Sequence, residues 1–210
     1  MYIAIEGVIG VGKTSLARLL QGQFDAQLLL EAFEENPFLS DFYDDRRRFA
    51  FQTQIFFLLS RYRQQREGVP TALKEGNLIA DYTFEKDALF ARLNLDGDEL
   101  DTYQQVHNAL AERIAKPDLV VYLEVDTTTA MKRIAQRDRP YERNMDQNYI
   151  DLVNEGYRRH FQDYTENQIL TIDSSRLDFV ANQDHLEYIA NRIRNTLGIP
   201  PYQPALPLGE

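Results

Sequence analysis

The stretch GVIGVGKTS, residues 7–15, carries residue types whose spacing suits phosphate chemistry. It fills the frame G-x-x-x-x-G-K-[ST], in which glycines let backbone N–H groups turn inward around a phosphate. The helix that follows adds its positive end, Lys13 reaches the outer phosphates, and Thr14 ligates magnesium. The alternative is a glycine-rich turn capping an ordinary helix, but a strand-like run before the motif and an amphipathic run after it favour the phosphate site. The predicted nucleotide-binding residues of this loop are Gly7, Gly10, Gly12, Lys13, Thr14 and Ser15.

Glu31 follows a second strand-like run, residues 27–30. In parallel α/β sheets, ligands bind beyond the carboxyl ends of the strands, so an acid at this position faces the binding edge. Phosphoryl transfer requires a carboxylate near the acceptor hydroxyl more than it requires covalent chemistry. We therefore predict that Glu31 is the base that accepts the hydroxyl proton. The alternative is a solvated carboxylate at a strand end, as expected for its neighbours Glu34 and Glu35.

Asp81 ends a third strand-like run, residues 78–80. An acid at such a strand end is typical of a group that meets magnesium directly or through water. We predict that Asp81 shares this ion with Thr14. The alternative is an N-cap for a helix that begins near Thr83.

An arginine-rich segment follows the fourth predicted strand and has the pattern R-x-x-x-R-x-R-x-x-E. Guanidinium groups suit phosphate because their planar fork donates paired hydrogen bonds. The alternative is an exposed basic helix end, where cations complement the helix dipole. Pro140 stops the helix, which favours a mobile lid over phosphates at about residues 137–146. The residues of the pattern are Arg133, Arg137, Arg139 and Glu142.

The composition of the chain limits the kinds of molecule that it is expected to bind. At 210 residues the chain fits one compact domain. Its formal net charge of −10 argues against a nucleic-acid duplex or an anionic membrane as partner, since both favour a basic surface. The absence of cysteine excludes disulfides and is compatible with the cytoplasm. We find no leader or long apolar span, so we expect a soluble protein. Prolines predict an extended tail over residues 198–210.

Strand-like and helical patterns alternate along the chain, which is typical of an α/β fold. We predict a three-layer sandwich around a central five-stranded parallel sheet. The second helix is expected to be long, apolar and central. The predicted strands cover residues 2–5, 27–30, 78–80, 119–125 and 168–172, and the predicted helices cover residues 13–24, 37–67, 84–93, 97–115, 127–137, 147–164 and 182–197.

Five segments in order, spanning nearly the whole chain, resemble the deoxynucleoside kinase family, and especially its bacterial deoxyadenosine and deoxyguanosine kinases. These segments are GVIGVGKTS, EAFEENPF, FYDDRRRFAFQTQIFFLLSR, DYTFEKDALF and RIAQRDRPYE. The resemblance implies a P-loop kinase fold with an Arg-rich lid, ATP with Mg²⁺ as the phosphate donor, and a homodimer. In one respect the chain departs from the family pattern. That pattern has an arginine after the acid at position 81, where this chain has Tyr82.

The same resemblance implies roles on the acceptor side. Glu31 takes the proton from the 5′-hydroxyl of a deoxynucleoside, Tyr43 and Glu142 hold the 3′-hydroxyl, and Gln54 reads the base. Arg61 and Asp87 are expected to assist Gln54, the alternative for these two being a structural ion pair. Gln52 is the rival of Gln54, but only Gln54 has the family spacing to Tyr43 and Arg61.

On the donor side, the resemblance implies that Arg137 and Arg139 clamp the phosphates and take part in catalysis with Glu31 and Lys13. Arg133 is implied to stack on the donor adenine. The loop after the fifth strand is implied to contact the donor base through Arg176, Asp178 and Phe179.

Three functions remain in competition at this point. The favoured one is transfer of the γ-phosphate of ATP to the 5′-hydroxyl of a purine deoxynucleoside in nucleotide salvage. The second is a nucleoside monophosphate kinase of the thymidylate kinase type, which requires an additional arginine clamp for its acceptor. The third is a non-catalytic P-loop switch, although the guanine-reading motif N-K-x-D is absent.

Overall fold

A computed structural model describes residues 1–162 and 164–201. Five strands form one all-parallel sheet in the order β2-β3-β1-β4-β5, which confirms the predicted α/β fold. The strands are β1 Tyr2–Glu6, β2 Ala26–Leu29, β3 Asn77–Ala80, β4 Leu119–Glu124 and β5 Gln168–Asp173. The helices found in the described ranges are α1 Lys13–Gln21, α2 Leu39–Asp44, α3 Arg46–Glu75, α4 Lys86–Asn94, α5 Gly97–Ala111, α6 Thr127–Arg137, α7 Gln147–Gln162 and α8 Gln183–Leu197.

The central strand β1 is buried along its whole length, which shows that both faces of the sheet are covered. Successive side chains of a strand point to opposite faces. Tyr2 and Ala4 pack with Val69 and Ala72 of α3 in one apolar cluster. The alternate residues of β1 face the other way and belong to the larger core cluster, which includes α1 and α8. Helices therefore lie on both sides of the sheet, in a three-layer arrangement.

The helix predicted over residues 37–67 is two helices, and the prediction of a single one is wrong. Asp45 leaves the helical conformation (φ −140°, ψ 80°), and its carboxylate accepts a hydrogen bond from the Arg48 N–H at 3.3 Å. Asp45 thus begins a new helix, as capping carboxylates do.

Helix α3 also runs further than predicted, through Pro70 to its end at Glu75. Proline removes one backbone donor from a helix interior and ordinarily disrupts it. Val69 and Ala72 on either side of Pro70 are buried against the sheet, which holds the last two turns in place. Tertiary packing therefore overrides the local cost of the proline.

The apolar sequence of α3 does not give it a purely apolar buried face. Leu58 is buried, but Leu59 is 48% exposed. Gln54, Arg61 and Gln65 are buried on the same helix, at spacings of seven and four residues that place them on one side. This polar side of α3 faces the carboxyl edge of the sheet and positions part of the site.

Two glycines let the loop between β1 and α1 pack closely. Gly7 adopts φ +145°, and a Cβ there would lie 2.5 Å from the Leu123 carbonyl oxygen. Gly12 adopts φ +106°, and a Cβ there would lie 2.9 Å from the Phe179 ring. A larger residue at either position requires both a strained backbone and a shift of its neighbour.

Within the described ranges, none of the helices has the length and apolar content required to span a membrane. Helix α8 ends at Leu197 and is followed by Gly198, which adopts a left-handed conformation with φ 67°. The predicted proline-rich tail, residues 198–210, lies outside the described residues from position 202 onward.

Adjacent leucines on α1 test the assignment of the core. Leu20 is fully buried and Leu19 is 37% exposed. We expect Leu20→Ala to lower the free energy of unfolding by about 2–5 kcal/mol, because it removes buried methyl groups and leaves a cavity. Leu19→Ala has the same change in helix propensity and is expected to cost about 0.5 kcal/mol. Urea unfolding followed by circular dichroism measures both, and equal losses would contradict the assignment.

Candidate active site

The residues after β1, β2 and β3 meet at the carboxyl edge of the sheet and line two adjoining pockets. The inner pocket has an empty volume of about 770 Å³ and lies between the strand ends, α2, α3 and the segment after α6. The outer pocket lies between the P-loop, residues 7–15, α6 and the loop after β5. Gly10, Lys13, Thr14, Arg137 and Arg139 line both pockets. A group held at these five residues is therefore accessible from either pocket.

The predicted site residues line one or both of these pockets, except Gly7 and Asp87, which line neither. The inner pocket is lined by Glu31, Tyr43, Gln54, Arg61, Asp81 and Glu142. The outer pocket is lined by Gly12, Ser15, Arg133, Arg176, Asp178 and Phe179.

Asp81 joins the P-loop to the end of β2. Its Oδ2 accepts a hydrogen bond from the Thr14 hydroxyl, and its Oδ1 accepts one from the Glu31 backbone N–H at 2.8 Å. Asp81 does not cap α4, since the Thr83 hydroxyl accepts the hydrogen bond from the first N–H of that helix, at 3.3 Å. Thr14 and Asp81 together present hard oxygen atoms of the kind that Mg²⁺ prefers.

Glu31 is held between two cations. Its Oε1 accepts hydrogen bonds from Arg61 Nε at 2.8 Å and from Arg61 Nη2, and its Oε2 accepts one from Lys86 Nζ at 2.7 Å. Burial alone would raise the pKa of Glu31, but the charges of Arg61 and Lys86 outweigh burial and hold that pKa well below its usual range. Glu31 is therefore a carboxylate that can only accept hydrogen bonds. Glu34 and Glu35, by contrast, are exposed.

Lys13 folds back onto its own loop. Its ammonium donates to the carbonyl oxygens of Gly7 at 2.7 Å and Val8 at 3.2 Å. Burial and the nearby charge of Lys86 lower the pKa of Lys13 to about 8. Negative charge brought to the loop would oppose this shift and favour the ammonium form.

The far end of the inner pocket is polar. Gln54 is buried there, and its amide oxygen has no hydrogen-bond partner among the described residues, whereas Gln52 is exposed. Arg61 forms an ion pair with Asp87 in addition to its contact with Glu31. Asp87 is fully buried and lies behind Arg61 rather than on the pocket wall. The ion pair is thus present, and Arg61 is its pocket-facing member.

The segment between α6 and α7, residues 138–146, closes one side of the inner pocket. Arg137 donates to both carboxylate oxygens of Glu142, at 2.7 and 2.6 Å, and Arg139 lies 3.7 Å from the same carboxylate. The Tyr141 ring is parallel to the Tyr43 ring, with centroids 6.2 Å apart. Glu142 thus connects Arg137 at the end of α6 and Arg139 of this segment with the pocket wall.

Arg133 connects two walls of the outer pocket through hydrogen bonds to backbone carbonyl groups. Its guanidinium donates to the carbonyl oxygens of Val11 at 3.0 Å, Ser174 at 3.1 Å and Leu177 at 3.0 Å. These bonds join the P-loop to the loop after β5. Stacking of Arg133 on the donor adenine, which the family resemblance implies, stays a prediction.

The loop after β5 turns around Asp178, whose Oδ1 accepts hydrogen bonds from the N–H groups of Val180 at 3.2 Å and Ala181 at 2.9 Å. Phe179 is buried against Gly12 of the P-loop. Two of the three predicted donor-base residues therefore also shape the loop.

Sequence reasoning missed two buried charges, Lys86 and Glu6. Glu6 accepts hydrogen bonds from the Thr83 N–H at 2.6 Å, the Thr83 hydroxyl at 2.9 Å and the Tyr157 hydroxyl at 2.9 Å. The available signals were an acid directly before the first P-loop glycine and a lysine five residues after Asp81. Neither signal identifies a partner, because both partners come from distant parts of the chain.

Comparison with known proteins agrees with this geometry. A family model for deoxynucleoside kinases matches residues 3–198. The chain is similar to a deoxyguanosine kinase of Bacillus subtilis (strain 168), with 33% identity over 201 residues, covering 93% of this chain and 97% of the relative. It is 31% identical over 211 residues to a deoxyadenosine kinase of Dictyostelium discoideum, covering 96% of this chain and 84% of the relative.

Among solved structures, a deoxyadenosine kinase from M. mycoides, determined with dCMP and a flexible dCDP bound, superposes with a TM-score of 0.81. It is 28% identical in sequence, and the match covers 93% of this chain and 100% of that one. By the extent of the family match and the identity to these relatives, the chain belongs to the deoxynucleoside kinase family.

Proposed function

We propose that this kinase transfers the γ-phosphoryl group of ATP to the 5′-hydroxyl of a purine deoxynucleoside in nucleotide salvage. The observation that carries the proposal is the set of residues shared by the two pockets, which includes Lys13, Thr14, Arg137 and Arg139. A donor in the outer pocket would present its last phosphate at these residues. An acceptor in the inner pocket would meet it there, beside Glu31.

The reaction then requires one base and the correct positioning of the acceptor hydroxyl and the γ-phosphate. The 5′-oxygen forms a bond to the γ-phosphorus while the bond from that phosphorus to the β–γ bridging oxygen breaks. The hydroxyl proton passes to Glu31, and ADP leaves. Glu31 suits this role because Arg61 and Lys86 keep it ionised and aimed into the pocket. By resemblance, Tyr43 and Glu142 would hold the 3′-hydroxyl and thereby orient the sugar.

The charges already present in the site indicate that a bound triphosphate requires additional cations. The charges at the base of the site already face one another, since the cations Lys13, Arg61 and Lys86 lie among the carboxylates of Glu6, Glu31, Asp81 and Asp87. A triphosphate adds negative charge that these three cations are too few to neutralise. Arg137 and Arg139, in a lid at about residues 137–146, would supply part of the compensation. Thr14 and Asp81 fit Mg²⁺ and would hold it, and the bound ion would supply positive charge to the triphosphate.

The base preference rests on Gln54 and on the relatives. An amide side chain offers donors and acceptors together, which match the ring nitrogen and exocyclic amine of adenine. Gln54 presents an unpartnered amide oxygen to the inner pocket. Relatives named deoxyguanosine kinase and deoxyadenosine kinase favour a purine acceptor.

A nucleoside monophosphate kinase fits the site less well. Its acceptor phosphate requires an arginine in addition to the shared Arg137 and Arg139, whereas Arg61, which also lines the inner pocket, is bound to two carboxylates. Tyr82, which replaces the arginine of the family pattern, is buried, and its hydroxyl donates to the Gln64 side chain at 2.6 Å. A non-catalytic switch would leave Glu31 and its two cations without a purpose.

We also propose that residues 1–210 act as one kinase domain, as a homodimer, in the cytoplasm. Family membership is the basis for the dimer. The absence of cysteine is compatible with a reducing compartment. The net charge of −10 supports small-molecule partners rather than nucleic acid or an anionic membrane.

Substitution of Glu31 tests its role as the base. We expect Glu31→Gln to lower kcat by about 10² or more, because the amide cannot accept the hydroxyl proton. The matched control is Glu35→Gln, four residues along and exposed, which should keep wild-type kcat. Initial rates of ADP formation at saturating ATP and deoxynucleoside give both values. Near-normal turnover in Glu31→Gln would remove Glu31 from the mechanism.

Acceptor selection tests the proposed function as a whole. Purified protein would be incubated with ATP, Mg²⁺ and each of the four common deoxynucleosides or their monophosphates, and the products separated by chromatography. We expect the 5′-monophosphate of deoxyguanosine or deoxyadenosine to form with the highest kcat/KM. An unpaired buried polar partner costs about 1–3 kcal/mol, so the margin over deoxycytidine and thymidine should be about 10- to 100-fold.

Gln54→Ala should reduce that margin, while the control Gln52→Ala, on an exposed side chain of the same helix, should preserve it. A wild-type preference for thymidine or deoxycytidine would contradict the purine assignment. Phosphorylation of monophosphates alone would contradict the proposed acceptor class.

A further inference from the structure

Lys86 stands in the inner pocket as a buried cation without an assigned role. It is the first residue of α4, and its side chain is 8% exposed. Its Nζ lies 2.7 Å from Glu31 Oε2 and 5.7 Å from the centre of the Phe90 ring. Lys86 also lines the pocket that contains Lys13 and Thr14. The ammonium therefore lies where an acceptor hydroxyl would approach Glu31.

The position of Lys86 is enforced by the turn that precedes it. The Thr83 hydroxyl accepts a hydrogen bond from the Lys86 N–H at 3.3 Å, and Glu6 accepts both the hydroxyl and the N–H of Thr83. Glu6 is fully buried at the end of β1, directly before the P-loop. The start of α4 is thus tied to the same strand end that carries the phosphate-binding loop.

The Lys86 ammonium has hydrogen-bond donors that its contact with Glu31 does not use. A lysine ammonium has three donors. Within the described ranges, its hydrogen-bonding partner is Glu31 Oε2 alone. Each carboxylate oxygen has two acceptor positions, so Oε2 retains one for a hydroxyl group. A hydroxyl bound there places its oxygen next to the remaining N–H groups of Lys86.

Arg61 and Tyr82 are not equivalent to Lys86. Arg61 contacts the other oxygen of Glu31 and is bound to Asp87 through Nη1, so its guanidinium is shared between two carboxylates. Tyr82 is uncharged, and its hydroxyl is directed at Gln64. At the Oε2 side of Glu31, Lys86 supplies the positive charge.

We propose that Lys86 is the acceptor-side cation of the reaction, holding Glu31 Oε2 toward the 5′-hydroxyl and donating a hydrogen bond to the 5′-oxygen as its bond to phosphorus forms. The proposal rests on the proposed function. Lys86 keeps its proton throughout, because the hydroxyl proton passes to Glu31. Its charge stabilises negative charge on the attacking oxygen while the O–H bond breaks and before the O–P bond is complete.

Three substitutions test this role. Lys86→Met keeps the length and apolar stem of the side chain and removes its charge, Lys86→Arg keeps the charge, and Lys86→Ala makes room for an added amine. We expect Lys86→Met to slow phosphoryl transfer in single-turnover experiments by about 10²-fold, the loss typical of one preorganised donor. Its Kd for deoxyguanosine, measured by calorimetry, should stay within about threefold of wild type, since the base and 3′-hydroxyl contacts remain.

Lys86→Arg should retain most of the rate, and ethylammonium should restore part of the rate to Lys86→Ala. The matched control is Lys116→Met, which breaks another lysine–glutamate contact, with Glu166 at 2.9 Å, outside both pockets. Its transfer rate should equal that of wild type.

A wild-type transfer rate in Lys86→Met would overturn the proposal. So would equal losses in Lys86→Met and Lys86→Arg without amine rescue of Lys86→Ala, because that pattern describes a residue needed only for packing. If Lys86→Met does not fold, the arginine variant and amine rescue decide the matter. These outcomes are distinct from failure of the proposed function, in which the wild-type protein itself would phosphorylate no deoxynucleoside.

Discussion

The site depends on the burial of one carboxylate, Glu31, at the carboxyl edge of the sheet. A buried charge is expensive unless it is paired and hydrogen-bonded, so its partners must come from elements that reach the same point. Arg61 arrives from α3 and Lys86 from α4, and each takes one oxygen of Glu31. The positions of both helices relative to β2 are therefore coupled to the ionised state of Glu31.

That pairing extends through the surrounding network. Arg61 in turn forms an ion pair with the buried Asp87, and Asp81 links the Glu31 backbone to Thr14 in the P-loop. The result is a cluster of paired charges that joins α3 and α4 to the ends of β2 and β3 and to the P-loop. Removing one member leaves a buried charge uncompensated, which costs more than the contact itself contributes. Such a cluster preorganises the acceptor side before any substrate arrives.

Much of this arrangement was predictable from the sequence, because its signals are local. The P-loop frame, the strand-like runs and the acids at strand ends depend on spacing within a few residues. The parallel sheet then places Glu31 and Asp81 at a common edge. The continuation of α3 through Pro70 was not predictable in this way, since it depends on burial of Val69 and Ala72 against distant strands.

The pairings of charged side chains were equally unpredictable from the sequence. Lys86 and Glu31 are separated by 55 residues, and Glu6 and Thr83 by 77. A hydrophobic period or a turn signal carries no information about such partners. The contact of Arg137 with Glu142 is local in sequence, yet it depends on the left-handed conformation of Asp138 that turns the chain after α6. Residue types suggested the chemistry here, and the tertiary fold determined which groups meet.

The most direct test of the account is a crystal structure of the protein with deoxyguanosine bound. We expect the 5′-oxygen to lie within hydrogen-bond reach of Glu31, about 2.6–3.2 Å. The 3′-hydroxyl should meet Tyr43 and Glu142, and the base should face Gln54. A nucleoside bound instead in the outer pocket, or in the inner pocket with its 5′-oxygen directed away from Glu31, would contradict the account.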